Sequence, residues 1–186
     1  MSAPALKEWS AAVGALLDGR QTVLLRKGGI HEKRFAIEPA AGRAPFLLFP
    51  TVAHSHAERL RPEHRDLLEH AADSTEDAVV LRAAAAVIDA IEVDRPEHID
   101  ALADLHIWTA ESVRADRLDF RPKHRLTVLV VQARPLMQPQ RLPRRPEYAG
   151  CNSWVQLAVS ETRCGAPVYS ADDLAEVARR VRDSVG

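Results

Sequence analysis

The chain has 186 residues, 25 Lys+Arg against 26 Asp+Glu, and a formal net charge of −1. Such a length buries a real core, and the mixed charge excludes a wholly disordered chain. No apolar run approaches the roughly 18 residues a bilayer span needs, and Met1 to Lys7 lacks the basic-then-apolar order of a secretory signal. A soluble, cytoplasmic protein with no membrane partner is expected.

Residues 4–18 place Leu6, Trp9, Val13, Leu16 and Leu17 at helical spacing, and Gly19 reads as the helix stop. Residues 21–26 (Gln-Thr-Val-Leu-Leu-Arg) predict a buried strand, Gly28-Gly29 a turn, and 34–38 and 46–49 two further short strands. Residues 57–71 predict a charged helix with Leu60 and Leu67-Leu68 as a thin apolar face, and 73–77 (Asp-Ser-Thr-Glu-Asp) a polar break. Over 79–93 the Ala83–Ala86 run favours helix. Val79-Val80-Leu81, Val87-Ile88, Ile91 and Val93 favour a long or broken strand, which is the expectation taken here.

Residues 96–105 predict a short helix, and Thr109 an N-cap for another through about Leu118. Residues 125–133 form the strongest strand pattern. Pro135, Pro139, Pro143 and Pro146 then predict an extended basic loop that cannot be a central strand. Residues 153–159 predict a last strand, and Ser170 caps a closing helix striped by Leu174, Val177 and Val181. Irregular alternation of strands and helices indicates an α+β class, with a mixed or antiparallel sheet and flanking helices. The chain reads as one domain over 1–186, with 72–78 the place where a division would fall.

Near-neutral charge conceals an asymmetry. Between Arg114 and Arg145 lie nine Lys/Arg and two acids, a local +7 that leaves −8 for the rest. One-signed fields are typically kept for steering or for polyanions, although a solvated face is the plainer explanation. Arg outnumbers Lys 21 to 4, a ratio that genomic base composition explains without function.

Familiar catalytic patterns are missing. The sequence has no G-x-G, no Gly-Lys-Ser/Thr, no G-x-S-x-G and no H-E-x-x-H. None of Lys7, Lys27, Lys33 and Lys123 follows an acid by two residues, which disfavours a common two-metal nuclease design. Cys151 and Cys164 form no C-x-x-C, and two thiols cannot make a four-cysteine zinc site.

Three segments keep chemical interest. Arg26-Lys27-Gly28-Gly29, followed by His31 and Glu32, sets two cations beside a turn that exposes backbone N–H groups, as anion-binding nests do. A simple hairpin turn accounts for it equally well. Phe49-Pro-Thr51 runs into His54 and His56, which are metal candidates only if a strand continues through them; no full ligand set accompanies them, and no metal or other cofactor is expected. Tyr148-Ala-Gly-Cys151-Asn-Ser153-Trp154 carries an aromatic at each end, as a ring-stacking pocket would. Cys151 reads as a nucleophile if a histidine approaches it, and otherwise as a small buried thiol.

These motifs resemble the bacterial proteins grouped as domain of unknown function family 1802. The resemblance rests on Leu6-Lys-Glu-Trp9, Leu25-Arg-Lys-Gly-Gly-Ile30, Phe49-Pro-Thr51 with His54, His106-Ile-Trp-Thr109, Arg121-Pro-Lys-His124, and Gly150-Cys151 with Ser153-Trp154. Val52 and Ser55 depart from it, standing where the family pattern has an aromatic and Gln. The family carries no established activity, so the resemblance implies no function. At fold level, the element order over 79–136 is similar to small β-barrels of the pseudouridine-synthase-and-archaeosine-transglycosylase (PUA) type, an analogy that assigns no function.

The expectation is therefore a protein that binds nucleic acid or a nucleotide-like anion. Arg26, Lys27 and the Gly28-Gly29 turn would hold phosphate, the 114–145 stretch with Arg121, Lys123, Arg144 and Arg145 would track a backbone, Trp154 or Tyr148 would stack a base, and Thr51 and Ser153 are further binding candidates. The alternative is a hydrolase or transferase acting on a phosphorylated substrate through Glu32, His54 and Cys151. Oligomeric state is not legible.

Overall fold

The computed structural model describes residues 2–27 and 44–186. The turn at Gly28-Gly29, His31, Glu32 and the strand expected at 34–38 lie outside the described residues. Six strands form one sheet in the order β2-β5-β4-β3-β1-β6: β1 Ser2–Trp9, β2 Val23–Lys27, β3 Phe46–Thr51, β4 Ala78–Glu92, β5 Leu126–Pro143 and β6 Trp154–Ala158. β1 runs parallel to β3 and every other pair is antiparallel, so the sheet is mixed. With helices flanking it, the class is α+β. The sheet draws strands from both sides of 72–78. No helix among the described residues is long and apolar enough to cross a membrane.

The first helical expectation fails at its N-terminal half. Ser2–Trp9 is a strand, and only Ser10–Asp18 is helical (α1). Leu6 and Trp9 fit a helical stripe by spacing, but Ala5 and Leu6 instead face opposite sides of the sheet and enter separate core clusters. Pro4 falls before the pairing with β3 begins at Ala5, where a missing N–H costs little. Ser10 through Leu16 are all buried, so α1 is a core helix rather than an amphipathic one. Gly19 ends it with φ 78°, and its N–H donates to the Ala15 carbonyl.

β4 resolves the ambiguous segment as a strand, broken by irregularities between Leu81 and Ala83 and between Val87 and Asp89. Its alanines pair on both edges, Ala84 with Leu47 and Arg134, Ala85 with Phe46 and Ala133. Two ladders thus override the helix preference of alanine.

The basic proline loop is the second correction, because β5 continues through it to Pro143. β2 covers β5 only over Leu126–Val130, so the distal half has β4 on one edge alone. On its other edge the Met137 N–H donates to the Arg163 carbonyl, and the Pro135 carbonyl accepts from Gly165 N–H. Arg144 N–H points the opposite way, to Asp77 O on the β4 side. Pro135 and Pro143 therefore present their absent N–H groups away from β4, where they break no ladder bond.

The charged helix expected over 57–71 is instead a short α2 (His56–Arg59) and a 3-10 run over Pro62–Asp73. Leu60 leaves the helical path to bridge Trp108, and Pro62 starts the next turn. Thr109 does cap Ala110–Val113 (α3), which a π-helical turn extends to Leu118. Ser170 and Asp173 form a reciprocal capping box at the head of α4 (Ala171–Val185).

A candidate anion-binding cleft

An open cleft of about 450 Å³ lies over the cluster formed by β1, β3 and the segment after β5. Its lining combines Lys7 of β1, Phe49, Thr51 and Val52 at the end of β3, Ser74–Glu76, and Arg144 with Tyr148–Gly150. A volume of that order suits a small ligand.

Strand period explains the convergence. Along β1, Ala5 enters the core and Lys7, two residues on, reaches the rim, where its Nζ donates to Gly150 O at 3.0 Å. Parallel pairing sets Lys7 opposite Phe49 and Trp9 opposite Thr51. Thr51 Oγ1 donates to Glu8 O at 3.2 Å, which leaves its lone pairs for a ligand. The Phe49 and Tyr148 rings meet edge to face at 5.7 Å and form a buried apolar wall. Val52, 48% exposed, is an apolar group at the rim.

Arg144 is held in place without a carboxylate. Its Nε donates to Thr75 O and one Nη to Ser74 Oγ, both at 2.7 Å, and its guanidinium lies 5.8 Å from the Phe49 ring centroid. Neither Arg144 nor Lys7 takes part in an ion pair among the described residues. Burial holds the Lys7 ammonium below the usual lysine range; the nearby Cys151 opposes that shift and the Arg144 guanidinium reinforces it. With Lys7 and Arg144 against Glu76 the concavity carries a net positive charge, which favours an incoming anion.

Three of the residues expected to bind line this cleft. Thr51, Arg144 and Tyr148 are in the cleft. Lys7 was missed, because reading 4–18 as one helix hid the strand alternation that brings it to the rim. Ser74, Thr75 and Glu76 were missed because residues 73–77 read only as a break.

The remaining candidates lie elsewhere. Arg26 pairs with the buried Glu8 at 3.2 Å, and Lys27 Nζ donates to Leu118 O at 2.5 Å. Gly28, Gly29 and Glu32 lie outside the described residues. Ser153 uses its carbonyl to accept the Lys7 N–H, and the Trp154 ring packs edge to face on Phe46 at 5.0 Å, in another core cluster. Arg145 pairs with Glu147. Arg121 and Lys123 are exposed, Arg121 with φ 48° and its guanidinium over Phe120.

The +7 stretch is spatially divided and partly neutralised. Arg114 pairs with Asp100, and Arg125 with both Glu92 and Asp94, while Arg144 and Arg145 stand at the far end of β5. Cys151 and Cys164 are both exposed free thiols, so Cys151 is not the buried thiol of the plainer reading. Among the described residues no hydrogen bond joins Cys151 to His54, which is exposed.

His56 is buried in an aromatic slot, edge-on to Trp9 at 4.5 Å and stacked on Trp108 at 6.4 Å, with neither ring nitrogen hydrogen-bonded. Burial, assisted by the Arg59 guanidinium, lowers its pKa to about 4. His106 is buried too and likewise lowered to about 4, first by burial and then by the Arg61 guanidinium; its Nδ1 accepts the Trp108 N–H at 3.1 Å. With His54 exposed and His56 buried, the two do not share one environment. Among the described residues no group of three or more His, Cys, Asp and Glu side chains is placed to hold a metal ion.

No curated protein matches the chain. Among solved structures it is similar to ZmASCH from Zymomonas mobilis. One serine-to-alanine mutant of that protein is 13% identical, with TM-score 0.46 and coverage of 83% of this chain and 87% of that one. A tyrosine-to-phenylalanine mutant is 14% identical, with TM-score 0.47 and coverage of 83% and 89%. A family model described as a domain of unknown function, DUF1802, matches residues 5–180, and the chain belongs to that family.

Proposed function

We propose that the protein binds a nucleotide-like anion, free or as part of a nucleic-acid strand, in the cleft between Lys7 and Arg144. The observation that carries this reading is that two cations without ion-pair partners among the described residues share one cleft, held over the buried Phe49 and Tyr148 rings with Val52 exposed at the rim. An anion would meet the Lys7 ammonium and the remaining guanidinium N–H groups, while the exposed Val52 at the rim would meet an apolar part of the ligand. Arg121, Lys123 and Arg141, exposed and without ion pairs among the described residues, are cations of the basic stretch left to meet a longer strand. The whole chain is taken to act as one domain.

The test is titration of a nucleoside 5′-monophosphate and a short single-stranded RNA, each at two salt concentrations, against wild type, Lys7→Met and Arg144→Lys. Two phosphate-neutralising cations predict a log–log salt slope of about −1.4 for a single strand. Lys7→Met, which keeps the packed stem, is expected to weaken both ligands by about tenfold. Arg144→Lys keeps the charge but loses the fork, and is expected to weaken them less. Salt-insensitive binding, or binding indifferent to Lys7→Met, would overturn the proposal.

The hydrolase or transferase alternative gains no support from geometry. Its Cys151 and His54 make no hydrogen bond to one another, and Glu32 lies outside the described residues.

A further inference from the structure

A second, much smaller cavity of about 10 Å³ lies where the end of β1 meets α3 and its π-helical extension, with room for one atom of about water's size. Trp9, Trp108 and Val113 give it apolar walls, the two indoles meeting edge to face at 5.1 Å. Arg59, Ser112, Asp116 and Arg117 complete the lining. The Arg59 guanidinium lies 5.0 Å from the Trp9 ring centroid and pairs with Asp116 at 3.1 Å. Both of those side chains keep some exposure, whereas Trp108 and Val113 are buried, so the ion pair forms the mouth.

Arg117 has no carboxylate of its own. Its Nε is buried without a hydrogen-bond partner, and among the described residues its guanidinium makes one bond, from Nη1 to the neighbouring Asp116 carbonyl at 3.3 Å. The carboxylates that act on it are each bonded to another arginine, Asp116 to Arg59 at 3.1 Å and Glu8 to Arg26 at 3.2 Å. Three guanidiniums against two carboxylates leave one positive charge without a counterion. A water would satisfy the Nε donor but not the charge; an anion satisfies both. The π-helical turn over Arg114–Leu118 carries Arg117, and such turns recur at functional sites.

We infer that this crevice is a halide site, in which one chloride- or bromide-sized anion accepts from Arg117 Nε–H against the Trp9 and Trp108 indoles. A cavity this small excludes phosphate and sulfate, so its ligand differs in class from that of the Lys7–Arg144 cleft, and the inference stands apart from the function proposed above. The apolar walls replace little of an ion's hydration, so weakly hydrated bromide should bind more tightly than chloride, and strongly hydrated fluoride least of all.

Bromide is the probe because it quenches tryptophan on contact. Trp9 and Trp108 line the cavity, while the Trp154 ring packs elsewhere, on Phe46. Wild type, Arg117→Met, Arg117→Lys and Arg179→Met are titrated with sodium bromide against sodium gluconate at constant ionic strength, and fluorescence and Tm are recorded. Arg179 is exposed on α4 and pairs with Glu176 and Asp183, so its variant controls for loss of a cation remote from the crevice. Wild type and Arg179→Met are expected to show a saturable component of quenching and a higher Tm in bromide than in gluconate. Arg117→Met should weaken bromide at least tenfold, as loss of a charged donor does. Arg117→Lys, which keeps the charge but loses the planar fork, should weaken it less. Saturable quenching that survives Arg117→Met, or wild-type quenching that rises linearly with no preference of Tm for bromide, would overturn the inference and leave the cavity to a water. Where Arg117→Met does not fold, the wild-type and Arg117→Lys curves decide between these outcomes.

Discussion

Arg26 offers the sharpest separation of structural from ligand-binding roles. Sequence alone makes it a phosphate holder, yet its Nη1 lies 3.2 Å from Glu8 Oε2 and 3.3 Å from Lys7 O. Glu8 is 4% exposed, and its other oxygen accepts the Trp9 N–H at 2.8 Å. Removing the arginine leaves the buried carboxylate with only the neighbouring Arg117 guanidinium, and loss of one partner of a buried pair typically costs 3–5 kcal/mol. Because Arg26 keeps some contact with water and Arg117 still acts on Glu8, a loss of about 2–3 kcal/mol is the better figure for Arg26→Met. For a chain of this size that lowers Tm by roughly 5–10 °C. Glu8→Gln keeps the acceptor for Trp9 while removing the charge, so Glu8→Gln/Arg26→Met should recover most of the loss, a coupling of about 2 kcal/mol. Urea denaturation of the wild type, both single variants and the double variant measures it. An Arg26→Met protein of unchanged stability that no longer binds nucleotide would refute the reasoning and return Arg26 to the ligand.

His56 and His106 predict an acid-sensitive fold. Both have folded pKa values of about 4 against an ordinary 6.5, so the unfolded chain binds more protons between those values. Stability is complete above about pH 6.5 and falls as pH drops toward 4, by up to about 3 kcal/mol per histidine. His56→Phe, which keeps a ring between Trp9 and Trp108 and leaves no unpaired nitrogen, should remove about half of that slope in denaturation curves collected across this range; an unchanged slope would refute it. Gly14 sits in α1 against His70, and an alanine Cβ there would lie 2.5 Å from the ring Nε2. Overpacking of about 1–3 kcal/mol outweighs a helix-propensity gain of about 1 kcal/mol, so Gly14→Ala should destabilise on its own and stabilise in a His70→Ala background. Thermal denaturation of the four-protein cycle checks it, and simple additivity would count against the close approach.

Much of the fold was legible where a local signal and its tertiary use agree. Gly19 stops α1 with a left-handed φ, Thr109 and Ser170 cap the helices that follow them, and the alternation of 79–93 outweighs its alanine run. Failures came where spacing was degenerate. Leu6, Trp9 and Val13 suit a helical stripe, but a strand ends and a helix begins between Trp9 and Ser10. Prolines read as breakers are harmless in β5 because their missing N–H groups face away from its ladder with β4, and that direction cannot be seen in a linear pattern. The cleft was half legible for the same reason. Thr51, Arg144 and Tyr148 announce themselves by type, whereas Lys7 depends on which element carries it, and Glu76 on which residues surround its turn.

By itself, then, the sequence determined the α+β class, the caps, the strand-forming stretches and the unequal distribution of charge, because these follow from residue type and short-range spacing. Only the tertiary structure decided which cations are free. Arg26, Arg114, Arg125 and Arg145 each pair with a carboxylate, while Lys7 and Arg144, 137 positions apart in the chain, share a cleft and form no ion pair among the described residues. Charge pairing depends on distance in space, and a sheet that places β1 beside β3 while β5 crosses to its far end reorders those distances completely.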